Sequence, residues 1–167
     1  MAITRLGGAN AITGTIPTSV APGQGKVLQV VRNYVASAGS HVETSSASLS
    51  ASGVTQSITP TASGNLILVD FSSSMADKDT SGANGHGKMY IKIGSGSYSQ
   101  MSGASTYHIG YMQQNENKYS NLTFGGSYTT TSTDTLIFQP YIKSSAGSFR
   151  LVHVSASYAL TLTEVEQ

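Results

Sequence analysis

Few residues of this chain could do chemistry, and their spacing completes no known metal site. Asp77 and Asp79 open a D-x-D-x-S-G sequence, which is how a calcium-binding loop begins. The twelfth position of such a loop should supply a carboxylate, but Lys88 stands there and would repel the ion. No helices are predicted on either side. A solvated hairpin tip is the favoured interpretation, and we expect neither a metal nor a cofactor.

Catalytic patterns are also missing. None of the four histidines has a second histidine at the spacing H-x-H or H-x-x-x-H. Serines are abundant, but there is no G-x-S-x-G nucleophile motif. Glycoside hydrolysis needs two facing carboxylates, and the sequence gives no reason to pair any two of its eight acidic residues. Two of them, Glu164 and Glu166, are expected in a solvated terminus. We therefore expect no catalytic residue and no enzyme. A glycan-cleaving enzyme is kept only as a disfavoured alternative.

The chain has nine tyrosines and no tryptophan, and the tyrosines are more informative than its histidines, serines and acidic residues. Tyrosine is favoured at interfaces because it has an apolar body and a polar tip. Core tyrosines with satisfied hydroxyl groups are an equally good interpretation, and the sequence does not decide between the two.

Composition limits the classes of partner. Charged residues make up only 10% of the 167 residues and the net charge is +1, so there is no basic field to hold nucleic acid. No apolar segment is long enough for a membrane helix. The first residues do not resemble a signal peptide, and there is no cysteine. We expect synthesis in a cytoplasm, no membrane insertion and no disulfide.

The elements that must position these residues are strands. Hydrophobic and hydroxyl-rich runs separated by Gly/Ser turns predict about nine strands and no helix, a β-sandwich or barrel. A turn-rich loop is predicted over 74–87. The run 66–71 is continuously apolar and predicts a strand packed on both faces. The first strand begins after Gly25, and its apolar residues should be buried: Val27, Leu28, Val30 and Val31. The predicted strands are 26–35, 42–49, 54–59, 65–73, 88–93, 106–112, 119–124, 135–142 and 149–165, the last being one bent strand or two.

Residues 1–25 differ from the rest, residues 26–167, which we take as one domain. Frequent Gly and Pro prevent a helix or a long strand there, yet spaced apolar residues and low charge are unlike an ordinary disordered tail. We interpret 1–25 as an extended arm that becomes ordered on a neighbouring copy or a larger assembly. A disordered terminus is the alternative. The residues predicted to bind a partner are Ile3, Arg5, Leu6, Ile12, Ile16 and Val20.

Several stretches resemble one family. ITRLGGANAITGTIP in the arm, APGQGKVLQVV at its junction, SITPTASGNLILV and the closing LTLTEVE resemble tail-fibre-type structural proteins of tailed bacteriophages, particularly those of marine bacteria. The resemblance implies a jelly-roll β-sandwich similar to the tumour-necrosis-factor-like fold, a homotrimer, a virion component and no enzyme. The chain is shorter than a usual fibre and has no heptads or collagen repeat. A short spike or a head decoration is therefore implied rather than a long fibre.

These inferences combine into one expectation. The chain is expected to be an all-β, antiparallel jelly-roll protein of the virion, assembled in the host cytoplasm. It forms a homotrimeric fibre or spike, its arm binds other virion proteins, and its loops contact a host glycan or outer-membrane component. A capsid decoration (cement) protein is the alternative. Residues of the polar loops are the candidates for surface recognition: Asp77, Asp79, His86, Tyr98, Gln113, Asn115 and Asn117.

Overall fold

A computed structural model describes residues 25–79, 84–101, 110–113 (backbone only) and 119–167. The described parts are all-β, and none of their residues is helical. The strands are β1 Val27–Val35, β2 Val42–Thr44, β3 Ser50–Ala51, β4 Gln56–Ile58, β5 Leu66–Lys78, β6 Asn84–Ile93, β7 Ser99–Gln100, β8 Gly110–Gln113, β9 Ser120–Thr129, β10 Leu136–Ser144, β11 Phe149–Val152 and β12 Tyr158–Val165. None of the described segments could cross a membrane as a helix.

The strands form two antiparallel sheets of a jelly-roll sandwich, which confirms the predicted fold class. The first sheet has the order β1-β12-β5-β11-β2, and β9 pairs with β5. The second has the order β3-β10-β6-β7, with β4 on β10 and β8 on β6. Large side chains from both sheets fill the space between them. The most completely buried include Phe71, Phe138, Phe149, Met89, Leu151, Leu160 and Leu162.

Strand β5 differs from its prediction in length and burial. Its apolar run alternates, with Ile67, Val69 and Phe71 buried while Leu68 is 42% exposed, so only one face is packed. The predicted loop over 74–87 is wrong at both ends, because β5 continues to Lys78 and β6 begins at Asn84. Pairing of Asp77 and Lys78 with β11 extends the strand, although Asp and Lys are poor strand formers.

The first strand is less buried than predicted. Val27 and Val30 are each 56% exposed, which corrects the expectation that both would be buried, while Leu28 and Val31 are half-buried. The reason is position: among the described strands β1 pairs only with β12, at the edge of its sheet. The run 149–165 forms two strands, since residues 153–157 leave the sheet between β11 and β12.

Candidate functional surfaces

The outer side of the first sheet carries an exposed apolar face, defined by Val27, Val30, Tyr34 and Leu68. Their exposed fractions are 56%, 56%, 55% and 42%. Val30 lies opposite Thr163, and Thr163 lies opposite Leu68, so Val30 and Leu68 stand in one row across three strands. Side chains on one side of a pleated sheet share a face. These residues thus share one face, on which the row of Arg32, Thr161 and Asp70 separates Tyr34 from Val30 and Leu68.

The apolar face adjoins the start of the described chain. Gly25, where residues 1–24 join the domain, precedes Val27 by two positions, and Val27 lies opposite Val165 on β12. The guanidinium of Arg32 lies 4.7 Å from the centre of the Tyr34 ring. A cation over an aromatic ring is weakly attracted to it. Because Val27 follows Gly25 by two positions, the apolar face lies at the junction with the predicted arm.

Behind the same sheet, the buried carboxylate of Glu164 receives four hydrogen bonds. Gln29 Nε2 donates to Oε2 at 2.6 Å. Asn65 Nδ2 donates to Oε1 at 2.6 Å, and the backbone N and Oγ1 of Thr61 each donate to it at 2.8 Å. Gln29 also donates to the Thr59 carbonyl at 2.8 Å. The carboxylate thereby joins β1, β12 and the turn before β5.

The hydrogen bonds keep Glu164 ionised. Burial alone would raise the pKa of this carboxyl, since a buried charge loses its hydration. Donation from Asn65, Gln29 and Thr61 outweighs that effect and lowers the pKa to about 2. The sequence-based expectation of a solvated terminus at Glu164 is wrong, because the side chain is completely buried.

Asp77, predicted in an exposed recognition loop, is buried within β5 at 1% exposure. Its Oδ2 accepts a hydrogen bond from Arg150 Nη1 at 2.8 Å, and Arg150 Nε donates to Glu43 at 2.9 Å. The bond to Asp77 is the largest cause of the raised pKa of the Arg150 guanidinium. Asp77 therefore ties β5 to β11 and is not presented to a surface partner.

The other predicted recognition residues are dispersed. Asp79 is exposed at the end of β5, and its Oδ1 accepts a hydrogen bond from the Ser148 amide at 2.6 Å. His86 lies in β6 rather than in the predicted loop, and Tyr98 is half-buried before β7. Gln113 ends β8, where side chains are not described. The predicted sites that lie outside the described residues are Asn115, Asn117 and the arm residues Ile3, Arg5, Leu6, Ile12, Ile16 and Val20.

The outer side of the second sheet carries a second surface, the tyrosine–lysine face, made of Lys88, Tyr90, Lys92, Tyr98, Tyr141 and Lys143. The rings of Tyr90 and Tyr141 stack with centroids 3.9 Å apart. Tyr98 lies 6.0 Å from Tyr141, and its pKa is raised, first by burial and then by Tyr141. Pairing of β6 with β10 sets Lys88 opposite Tyr141. Tyr98 is one of the predicted recognition residues, and Tyr90 and Tyr141 are among the nine tyrosines noted in the sequence. Lys92 and Lys143 carry no sequence signal that pointed to this face.

Two histidines far apart in sequence also meet. The rings of His41 and His153 lie 4.8 Å apart, and Tyr119 packs on His153 at 5.0 Å. His41 Nδ1 accepts the Val154 amide and His153 Nδ1 accepts the Ser155 amide. No spacing in the sequence indicates such a contact. Within the described ranges, no three potential metal ligands cluster.

Comparison with known proteins gives little further information. No protein-family model and no curated protein matches the chain. VP2 of infectious bursal disease virus, in its subviral particle, is 12% identical with a TM-score of 0.48, over 84% of this chain and 38% of that one. The structure of the Gx strain of that virus is 15% identical with a TM-score of 0.43, over 83% and 36%.

A third likeness is to the CBM22-1-GH10 modules of Clostridium thermocellum endo-1,4-beta-D-xylanase 10B. It is 8% identical with a TM-score of 0.30, over 64% of this chain and 17% of that one. The chain thus spans between a sixth and two fifths of these structures. At these identities and scores, the likenesses do not establish a function.

Proposed function

We propose that this chain is a non-enzymatic structural protein of a bacteriophage virion. It is a short trimeric fibre or spike whose arm, residues 1–25, anchors it to other virion proteins. The jelly-roll domain forms the head and is presented outward for contact with the host surface. Assembly takes place in the host cytoplasm.

The apolar face carries this proposal. Exposed apolar side chains that share one face favour an interaction site over a solvated surface. A second and third copy of the chain would bury Val30, Tyr34 and Leu68 in a closed symmetric assembly. The face also starts where the arm joins, so self-association and anchoring would use one side of the molecule.

The Glu164 network gives separate support. Gln29, Thr61 and Asn65 belong to the stretches GKVLQVV and SITPTASGNLILV, and Glu164 belongs to LTLTEVE. These are the stretches that carry the resemblance to phage structural proteins. Their meeting at one buried carboxylate gives the resemblance a physical basis, because each segment supplies one part of the same set of hydrogen bonds.

Deleting residues 2–24 tests the anchoring role. The full chain and the deleted chain are each supplied to assembling virions of a phage whose own copy of the gene is disrupted, and purified particles are probed for the protein. We expect the deleted chain to fold but to be lost from particles. Equal incorporation of both chains would contradict the proposal.

Two further assays, on the isolated domain and on particles that lack the protein, separate a spike from a decoration protein. If the isolated domain, residues 26–167, still binds host cells, the jelly-roll domain carries the attachment activity. That result supports the spike. If particles without the protein adsorb normally but break at lower temperature, the chain is a capsid decoration protein instead.

A further inference from the structure

The charges of the two sheets are strongly asymmetric. The described strands of the second sheet, β3, β4, β6, β7, β8 and β10, contain no Asp or Glu. They contain three lysines, Lys88, Lys92 and Lys143. All carboxylates located in described strands belong to the first sheet: Glu43, Asp70, Asp77 and Glu164. The low net charge of the chain therefore hides a locally basic face.

The pleat places these lysines on the outer side of the sheet. Lys88, Tyr90 and Lys92 alternate along β6 with Met89 and Ile91, which are buried in the core at 0% and 3% exposure. In β10, Tyr141 and Lys143 alternate with the buried Ile142. From His86, opposite Lys143, to Lys92 the face runs roughly 20 Å at the usual rise of a strand. That length accommodates several linked sugar rings.

Lys88 lies near the centre of this face, opposite Tyr141. Lys88 is only 9% exposed, and its Nζ donates a hydrogen bond to the neutral amide oxygen of Gln100 at 3.0 Å. Across the described residues, no carboxylate forms an ion pair with Lys88. A buried ammonium without an anion is costly. An anionic ligand would compensate the charge.

The tyrosines indicate the kind of anion. Stacked Tyr90 and Tyr141, with Tyr98 beside them, offer apolar rings with polar tips. Gln100 adds a half-buried amide group on the same side of the sheet, where Gln139 is buried at 6% exposure. Rings flanked by amides and separated cations suit the apolar faces, hydroxyls and carboxylates of a sugar chain. Nucleic acid is disfavoured, because its affinity depends on many phosphate contacts and the face offers three lysines.

We propose that the tyrosine–lysine face binds an acidic polysaccharide, a glycan chain whose sugars carry carboxylates. Lys92 and Lys143 hold carboxylates toward the two ends of the face, the charge of the buried Lys88 adds to the attraction, and the tyrosines pack against the sugar rings. The inference deepens the proposed function by locating host contact on a sheet face rather than on loops. Its biological meaning depends on that function, but the binding itself does not.

Titration calorimetry of the purified full-length chain at low salt tests the proposal. The probe is an oligomer of galacturonic acid, and maltohexaose serves as its neutral counterpart. Lys92→Gln and Lys143→Gln are the test variants, because both residues are only half-buried and the fold should tolerate the change. Lys26→Gln is the matched control, since Lys26 is exposed and directly precedes β1 of the first sheet. The substitution gives the same change in net charge.

We expect the galacturonate oligomer to bind and each test variant to weaken its affinity by about three- to tenfold, as for loss of one ordinary hydrogen bond. Lys26→Gln should leave the affinity unchanged. Three results would overturn the proposal: no binding to the unaltered chain, maltohexaose binding as tightly, or Lys26→Gln weakening the affinity as much as the test variants. The calorimetry involves no virion particle, so a lack of glycan binding would not contradict the proposed virion role. Absence of the protein from particles would likewise not contradict glycan binding.

Discussion

Glu164 is the residue at which distant parts of the chain are joined. Its four hydrogen bonds come from Gln29, Thr61 and Asn65, which precede it by about a hundred residues or more. A buried carboxylate is stable only when donors replace its lost hydration. The network therefore fixes the edge strand β1 and the turn before β5 to β12.

Glu164→Gln should destabilise the domain by about 2–3 kcal/mol at neutral pH, because an uncharged amide accepts weaker bonds and its NH2 group faces other donors. Chemical denaturation measures the free energy of unfolding. Glu166→Gln is the control, since Glu166 lies two residues away and is exposed. Equal stability of Glu164→Gln and the unaltered chain would show that the network contributes nothing.

The same group predicts a pH dependence. The pKa of Glu164 is about 2 in the folded chain against an ordinary 4.5, so at intermediate pH the unfolded chain binds more protons. Its stabilising contribution, up to about 3 kcal/mol, is present above pH 4.5 and is lost as the pH falls toward 2. Denaturation at several pH values should show the stability gap between the unaltered chain and Glu164→Gln closing over this window. A gap independent of pH would contradict this origin.

Part of this network could have been predicted from sequence. Strict alternation in β12 places Glu164 on the same side as the buried Leu160 and Leu162, which already argues against a solvated terminus. The donors could not be predicted, because Thr61 and Asn65 approach the carboxylate only through the turn before β5. The contact of His41 with His153 is likewise a product of tertiary structure.

At the scale of elements, β9 contains a glycine that a larger residue cannot replace. A Cβ on Gly125 would overlap the backbone carbonyl of Val69 in β5. Gly126, its neighbour, would place a Cβ 2.6 Å from the terminal methyl of Met101, a flexible group that can move. The close approach of β5 and β9 thus requires glycine at position 125 but not at position 126.

Gly125→Ala should cost about 2–3 kcal/mol, since backbone must shift to relieve the overlap. Gly126→Ala should cost under about 1 kcal/mol. Thermal and denaturant unfolding of the two variants provide the comparison, with each acting as the other's control. If both changes proved equally mild, the strands would not be as close as the structure places them.

The edge strand β1 yields a prediction about self-association. Val30→Glu puts a charge on the apolar face and should dissociate the proposed trimer without unfolding the domain, because Val30 is already 56% exposed. Ser57→Glu is the matched control: Ser57 is an exposed strand residue of the other sheet. Sedimentation velocity reports the assembly state. A trimer that survives Val30→Glu would show that the apolar face lies outside the subunit contact.

Sequence predicts the elements unevenly for a physical reason. Alternation and turn residues located most strands and the fold class, since they reflect local burial. They failed over 74–87, where Asp77 and Lys78 are held in β5 by pairing with β11, and at Val27 and Val30, whose exposure follows from an edge position. Both depend on which strands become neighbours. The arm, residues 1–25, stays a prediction.

For the whole molecule, the two sheets present different surfaces. The first sheet exposes Val27, Val30, Tyr34 and Leu68 beside the junction with the arm, and the second carries half-buried lysines and tyrosines. In the proposed spike, one side of the sandwich faces other copies and the particle, while the opposite side faces a host glycan. Such a division of roles would use Lys88, Lys92 and Lys143, which lie on the sheet whose described strands contain no carboxylate.

The central claim, a self-associating virion protein, is tested most directly by the mass of the purified full-length chain in solution. Light scattering coupled to size-exclusion chromatography should give three times the 17.3 kDa chain mass, independent of dilution across the measured range. A single peak at the mass of one chain would contradict the account, because the apolar face would then be exposed to solvent in the native protein.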